Sequence, residues 1–168
     1  MNISKNNKIH SDQKTISSQP KSLLIISSDL PVQSLYQILL KNPQLVNKID
    51  NKGETLLTYS IKRKNTEICH LILSSTILDL SFQDKNGNSY LHLAVIKQLE
   101  NVVKSLIDKG IYLNIQNNLG NTPLHLAYMY YNIAIINILV NNNIDVTIKN
   151  NDNKIAEELK NVKSFLKN

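Results

Sequence analysis

DKNGNSYLHLA, at residues 84–94, recurs 33 residues later as NNLGNTPLHLA, at residues 117–127. Both copies place a Gly shortly before a Ser or Thr, and both then continue into Leu-His-Leu-Ala. Gly readily adopts a positive φ in a tight turn, and Ser or Thr is a preferred residue at the start of a helix. Self-similarity at this period indicates a stack of structural units, each of which depends on its neighbours.

A second apolar pattern follows each copy of this phrase. The spacing i, i+1, i+4, i+5 predicts an amphipathic helix. Each buried aliphatic side chain contributes roughly 1.5–3 kcal/mol before the entropy of ordering is subtracted. Since one helix pair cannot cover both of its faces, the units must stack. The residues of this pattern are Val102, Val103, Leu106 and Ile107 in one unit, and Ile135, Ile136, Leu139 and Val140 in the next.

The 33-residue period and the Thr-Pro-Leu-His-x-Ala phrase at residues 122–127 resemble the ankyrin repeat. The resemblance implies an all-α repeat solenoid, in which stacked helix-turn-helix units are joined by β-hairpin-like loops. It also implies that His92 and His125 hydrogen-bond the helix cap and the neighbouring turn. The residues given structural roles by this motif are Gly53, Gly87, His92, Gly120, Thr122, Pro123 and His125.

The 33-residue period also divides the rest of the chain into units. Residues 1–16 are rich in Asn, Lys and Ser, and we expect a disordered arm there. The ankyrin repeat domain is expected at 17–168: a degenerate capping repeat at 17–49, repeats at 50–83, 84–116 and 117–149, and a half-repeat cap at 150–168.

The two end units carry their own apolar patterns. In the first, Leu35, Tyr36, Leu39 and Leu40 are expected on the apolar face of the second helix. In the last, helical spacing predicts one apolar stripe, made of Ile155, Ala156, Leu159, Val162, Phe165 and Leu166.

At one position of the repeat, this chain lacks the residue that is usual in the family. Ankyrin repeats usually have Gly between their two helices, whereas this chain has Lys64, Gln98 and Tyr131 there. If the backbone adopts a positive φ at these residues, each costs on the order of 1–2 kcal/mol.

Composition restricts the function classes. The net charge is +6 and the pI is about 9.3, but 18 Lys and a single Arg, spread along the chain, give little capacity for bidentate phosphate or base contacts. We therefore disfavour nucleic acid as a partner. No apolar run approaches the roughly 18 residues of a membrane span. The first residues lack the apolar segment of a secretory signal, so we favour an intracellular location and leave open export into a host cell by another route.

The sequence offers no reaction centre. Cys69 and His70 are adjacent, but neighbouring residues of a helix point about 100° apart, and a single cysteine completes neither a zinc site nor an internal disulfide. Gly87 and Gly120 lie outside any Gly-rich phosphate loop. We expect no catalytic residue, no metal and no cofactor.

The resemblance places partner contacts on the concave face of the stack, at the hairpin tips and at the exposed end of each first helix. We expect an unidentified protein partner and a monomeric chain. Met129, Tyr130 and Tyr131 have an alternative role, which is to fill the turn between the helices and pack on the C-terminal cap. The candidate contact residues are Lys62, Arg63, Ile96, Lys97, Leu119, Met129 and Tyr130.

Three other functions stay open at this point. Residues 91–96, 113–119 and 122–127 resemble inner repeats of the inhibitor of kappa-B family, which implies a host-directed effector or mimic that sequesters a transcription factor. A Lys-rich arm together with Lys62 to Lys64 suggests a salt-sensitive binder of nucleic acid or an anionic surface. The chain could also be a structural fragment with no dedicated partner.

Overall fold

The computed structural model describes residues 30–160, and within that range seven α-helices form the fold. A 3-10 helix, Pro43–Asn47, follows the first of them, and a second 3-10 segment covers residues 156–160. The α-helices are α1 (Val32–Lys41), α2 (Leu56–Lys62), α3 (Thr66–Leu73), α4 (Tyr90–Ile96), α5 (Glu100–Asp108), α6 (Pro123–Met129) and α7 (Ile133–Asn141).

The helices lie in two layers. Helices α2, α4 and α6 pack against one another in chain order and form the inner layer, while α1, α3, α5 and α7 form the outer layer in the same order. Leu57, Leu91 and Leu124 occupy equivalent positions of the inner helices and are buried between units. The expected all-α repeat stack is therefore what the chain forms.

Each inner helix begins at a hydroxyl N-cap. Thr55, Ser89 and Thr122 accept a hydrogen bond from the backbone N–H three residues later, and the side chain of that residue accepts one from the cap N–H in return. This reciprocal arrangement satisfies two donors that the helix itself leaves unpaired. Pro123 takes the first position of α6, where its missing N–H is not needed.

A short hairpin precedes each inner helix. The backbone N–H of Asp84 donates to the carbonyl of Asn88, 2.9 Å away, and Gln83 and Ser89 form an antiparallel bridge. Gly87 closes this turn with a φ of 74°, and Gly53 and Gly120 have φ values of 75° and 72°. These tips project from one edge of the inner layer.

The structure corrects the apolar face that we assigned to α1. Leu35 and Leu39 are buried as expected, but Tyr36 and Leu40 are 42% and 58% exposed. Successive helix residues are 100° apart, so the residues that follow Leu35 and Leu39 turn away from α3. At the equivalent end of α7, Val140 is exposed for the same reason.

The half-repeat cap also differs in form from the expected helix. Its first turn is a 3-10 helix at residues 156–160, which buries Ala156 and Leu159 and leaves Ile155 half-buried. The arm at residues 1–16 and the stripe positions Val162, Phe165 and Leu166 lie outside the described residues.

Candidate partner-binding surface

The C-terminal end of each inner helix has the same backbone geometry. In the repeat at residues 50–83, the N–H of Lys64 donates to the carbonyl of Ile61 (3.0 Å) and that of Asn65 donates to the carbonyl of Ser60 (2.9 Å). The equivalent bonds recur after α4 and α6 at 2.9–3.1 Å. This pair of bonds is the Schellman arrangement, and it requires a left-handed residue.

The left-handed residues are Lys64, Gln98 and Tyr131, with φ values of 58°, 59° and 55°. The positive φ suspected from the sequence is therefore observed at all three positions. Because the inner helices stack in register, these turns align along the edge of the inner layer that lies opposite the hairpin tips. We call residues 62–64, 96–98 and 129–131 the inner-helix strip.

Six of the seven candidate contact residues lie on this strip. Lys62 and Arg63 are exposed, and Lys97 is half-buried. Lys62 forms an ion pair with Glu54 of the preceding hairpin, so its side chain lies back along the inner face. The remaining three strip candidates, Ile96, Met129 and Tyr130, are half-buried and pack against the core.

Leu119 is separated from the strip. It lies at a hairpin tip, where it is 66% exposed and its carbonyl accepts a hydrogen bond from the N–H of Asn151 (3.1 Å). Met129 lies at the opposite end of α6, a seven-residue helix that is about 10 Å long. Leu119 and Met129 therefore lie at opposite ends of α6, because the hairpin precedes this helix and the strip follows it.

The two motif histidines connect neighbouring units. His92 is fully buried; its Nδ1 accepts from the N–H of Ser89 (3.2 Å), and its Nε2–H donates to the carbonyl of Asn121 (2.8 Å). His125 makes the same bonds to Thr122 (3.2 Å) and to the carbonyl of Lys154 (3.0 Å). Burial lowers the pKa of both imidazoles, and that of His92 falls to about 4.

Several asparagines also connect the units, a role that the sequence analysis did not assign. The side-chain amide of Asn117 donates to Asn88 Oδ1, and that of Asn150 donates to Asn121 Oδ1, both at 2.9 Å. The amide of Asn118 donates to the carbonyl of Lys85 one unit earlier (3.1 Å). Recurrence of Asn at 33-residue spacing was the signal for this role, and the Asn-rich composition obscured it.

The described residues show no grouping suited to metal chemistry. Cys69 is buried while His70 is exposed, and burial raises the pKa of the Cys69 thiol to about 12. No group of three or more His, Cys, Asp or Glu residues within the described range could hold a metal ion. No helix in that range is both long and apolar enough to cross a membrane.

Comparison with known proteins identifies the repeats. A family profile for ankyrin repeats (3 copies) matches residues 23–117 and 77–150. An ankyrin repeat protein of Borreliella burgdorferi is 29% identical over 98 residues, and one of Fowlpox virus is 45% identical over 56 residues. These alignments cover 56% and 33% of this chain, but only 23% and 13% of the respective relatives. With most of its length matched by the profile and its helices stacked in register, the chain belongs to the ankyrin repeat family.

Proposed function

We propose that this chain is a non-catalytic scaffold that binds a protein partner through its inner-helix strip. Ankyrin repeats generally mediate protein–protein interactions. The observation that carries the proposal is the strip itself: three successive units each present an equivalent turn with the same backbone geometry.

The side chains on this row support a binding role over a structural one. A left-handed position favours Gly, yet Lys64, Gln98 and Tyr131 occupy it in all three units. Tyr131 is 64% exposed, so its ring makes little contact with the core to offset that cost. Tyr and Met, which lie together in the last turn of the strip, are enriched at protein interfaces.

Affinity capture with matched variants tests this function. Full-length wild-type chain, a Met129→Ser/Tyr130→Glu variant and a Leu40→Ser variant would be immobilised and exposed to lysate of the cells in which the protein occurs. Leu40→Ser is the control, because it makes an exposed apolar residue polar on the outer layer. A protein held by the wild type and the control, and lost with the strip variant, is the expected result.

The captured protein would then be purified and its dissociation constant measured against each folded variant. Circular dichroism and the urea midpoint establish that the strip variant keeps its fold. An unchanged dissociation constant in the folded strip variant would contradict the proposed surface. A complex lost only with Leu40→Ser would place the site on the outer layer instead.

A further inference from the structure

The inner-helix strip changes chemistry along the stack. Its first turn reads Lys-Arg-Lys at residues 62–64, its middle turn Ile-Lys-Gln at 96–98, and its last turn Met-Tyr-Tyr at 129–131. The backbone is the same in all three turns, so only the side chains differ. The strip is therefore cationic at one end, mixed in the middle, and apolar and aromatic at the other end.

Charge is concentrated at the first two turns. Lys64 is exposed and Lys97 is half-buried, and no acidic residue lies within the strip. Glu54 pairs with Lys62 and reduces the charge available there. Two further carboxylates, Glu67 and Glu100, lie just beyond the turns in the first turn of α3 and of α5. A helix N-terminus favours negative charge, which accounts for both without a partner.

The last turn offers apolar area. Met129 and Tyr130 are half-buried, and Tyr131 is largely exposed. The ammonium of Lys160 lies 5.2 Å from the centre of the Tyr128 ring and covers that neighbouring residue. Among the described residues, Tyr131 is the most exposed aromatic side chain of the strip, at 64%. Aromatic side chains with accessible faces are frequent anchors of bound segments.

Stacked helices lie about 8–10 Å apart, so the first and last turns are separated by roughly 20 Å. An extended peptide covers that distance in about six residues. We propose that the strip binds an extended peptide segment with acidic residues opposite Lys64 and Lys97 and aliphatic or aromatic residues opposite Met129 and Tyr131. The apolar residues would lie about three positions from the residue opposite Lys97 and about six from the residue opposite Lys64. This inference rests on the proposed function, and it specifies the chemistry of the partner at the same surface.

Selection from a random library tests the chemistry directly. A phage-displayed library of random 16-residue peptides would be selected against the full chain and counter-selected against the Met129→Ser/Tyr130→Glu variant. The expected peptides contain acidic residues at about three and about six positions from an apolar cluster. Strip-dependent peptides without acidic residues would overturn the inference and leave the proposed function standing. Failure to enrich any strip-dependent peptide would count against the proposed function as well.

Charge reversal gives the second test. A synthetic peptide of the selected consensus would be titrated, by fluorescence anisotropy, against wild type, Lys64→Glu/Lys97→Glu and Lys104→Glu. Lys104 is an exposed lysine of the outer helix α5, so its reversal is the matched control. We expect at least tenfold weaker binding in the double variant, wild-type binding in the control, and recovery when the acidic cluster of the peptide is replaced by lysine.

Two outcomes would overturn the inference at this stage. One is equal weakening by Lys104→Glu, which would show that net charge rather than the strip governs binding. The other is that a single-stranded 20-nucleotide DNA binds with steep salt dependence and displaces the peptide, which would make the surface a nucleic-acid site. Circular dichroism of each variant, which must match the wild type, separates these outcomes from loss of fold.

Discussion

The Nε2–H of His92 donates to the backbone carbonyl of Asn121, 2.8 Å away and in the next unit of the stack. The other ring nitrogen, Nδ1, accepts from the N–H of Ser89. The imidazole is thus held neutral with its single proton on Nε2. A second proton on Nδ1 would oppose the N–H of Ser89 inside the core and would have to turn to the Ser89 hydroxyl, 2.9 Å away, as its acceptor.

The free energy of unfolding should therefore fall as the pH is lowered, because of His92. Its pKa is about 4 in the folded chain and near its ordinary 6.5 when unfolded, so between these values the unfolded state binds more protons. The contribution is present above pH 6.5, is lost as pH falls towards 4, and amounts to about 3 kcal/mol. Urea denaturation at pH 7 and pH 4.5 would measure it. His92→Gln should be less stable at pH 7 and show a smaller pH difference; an unchanged pH difference would contradict this account.

The three hairpin glycines should differ in their tolerance of Ala. A methyl group at Gly87 would lie 2.8 Å from the backbone N of Asn118, and one at Gly120 would lie 2.6 Å from that of Asn151, whereas one at Gly53 meets nothing within 4 Å. Gly53→Ala should cost only the left-handed strain, about 1–2 kcal/mol. Gly87→Ala and Gly120→Ala should cost roughly 1–3 kcal/mol more, because backbone must move. Equal losses for all three variants in urea denaturation would show that the tips do not pack as described.

Gln98→Gly should stabilise the chain. Gly removes the left-handed strain of about 1–2 kcal/mol from the folded chain. It also raises the entropy of the unfolded chain, which offsets part of this stabilisation. The net gain should be about 0.5–1 kcal/mol in the free energy of unfolding. Gln98→Ala serves as the control, since Ala keeps the Cβ that causes the strain. A gain in the Ala variant as large as in the Gly variant would mean that φ at residue 98 is not the cause.

The buried amide pair of Asn121 and Asn150 should be energetically coupled. Removing one side chain leaves the other with a buried polar group that has lost its hydrogen-bond partner, which costs about 1–3 kcal/mol. A double-mutant cycle with Asn121→Ala and Asn150→Ala should therefore show about 1 kcal/mol of coupling in urea denaturation. Asn121→Ala combined with Asn65→Ala, two units away, should be additive. Additivity in the first pair would show that this hydrogen bond does not stabilise the contact between the units.

Local and periodic features of the fold were predictable from sequence. The Ser89 and Thr122 caps and the glycine turns depend on a few adjacent residues. The positive φ at Lys64, Gln98 and Tyr131 was suggested only by the Gly that the family usually has at that position. The apolar stripes of the second helices were predicted less completely, because periodicity identifies a face without giving its width. Tyr36 and Leu40 lie at the edge of such a face, and only their neighbours in space leave them exposed.

The sequence by itself determined the repeat unit, its 33-residue period and the need to stack, because caps, turns and helical periodicity act over short stretches of chain. Only the tertiary structure decided which groups meet across units: His92 with Asn121, Asn118 with Lys85, and the three turns that form the inner-helix strip. It also placed Leu119 and Met129 at opposite ends of α6. Such contacts depend on the height and rotation of one unit above the next, which the packing of whole helices sets and no local pattern encodes.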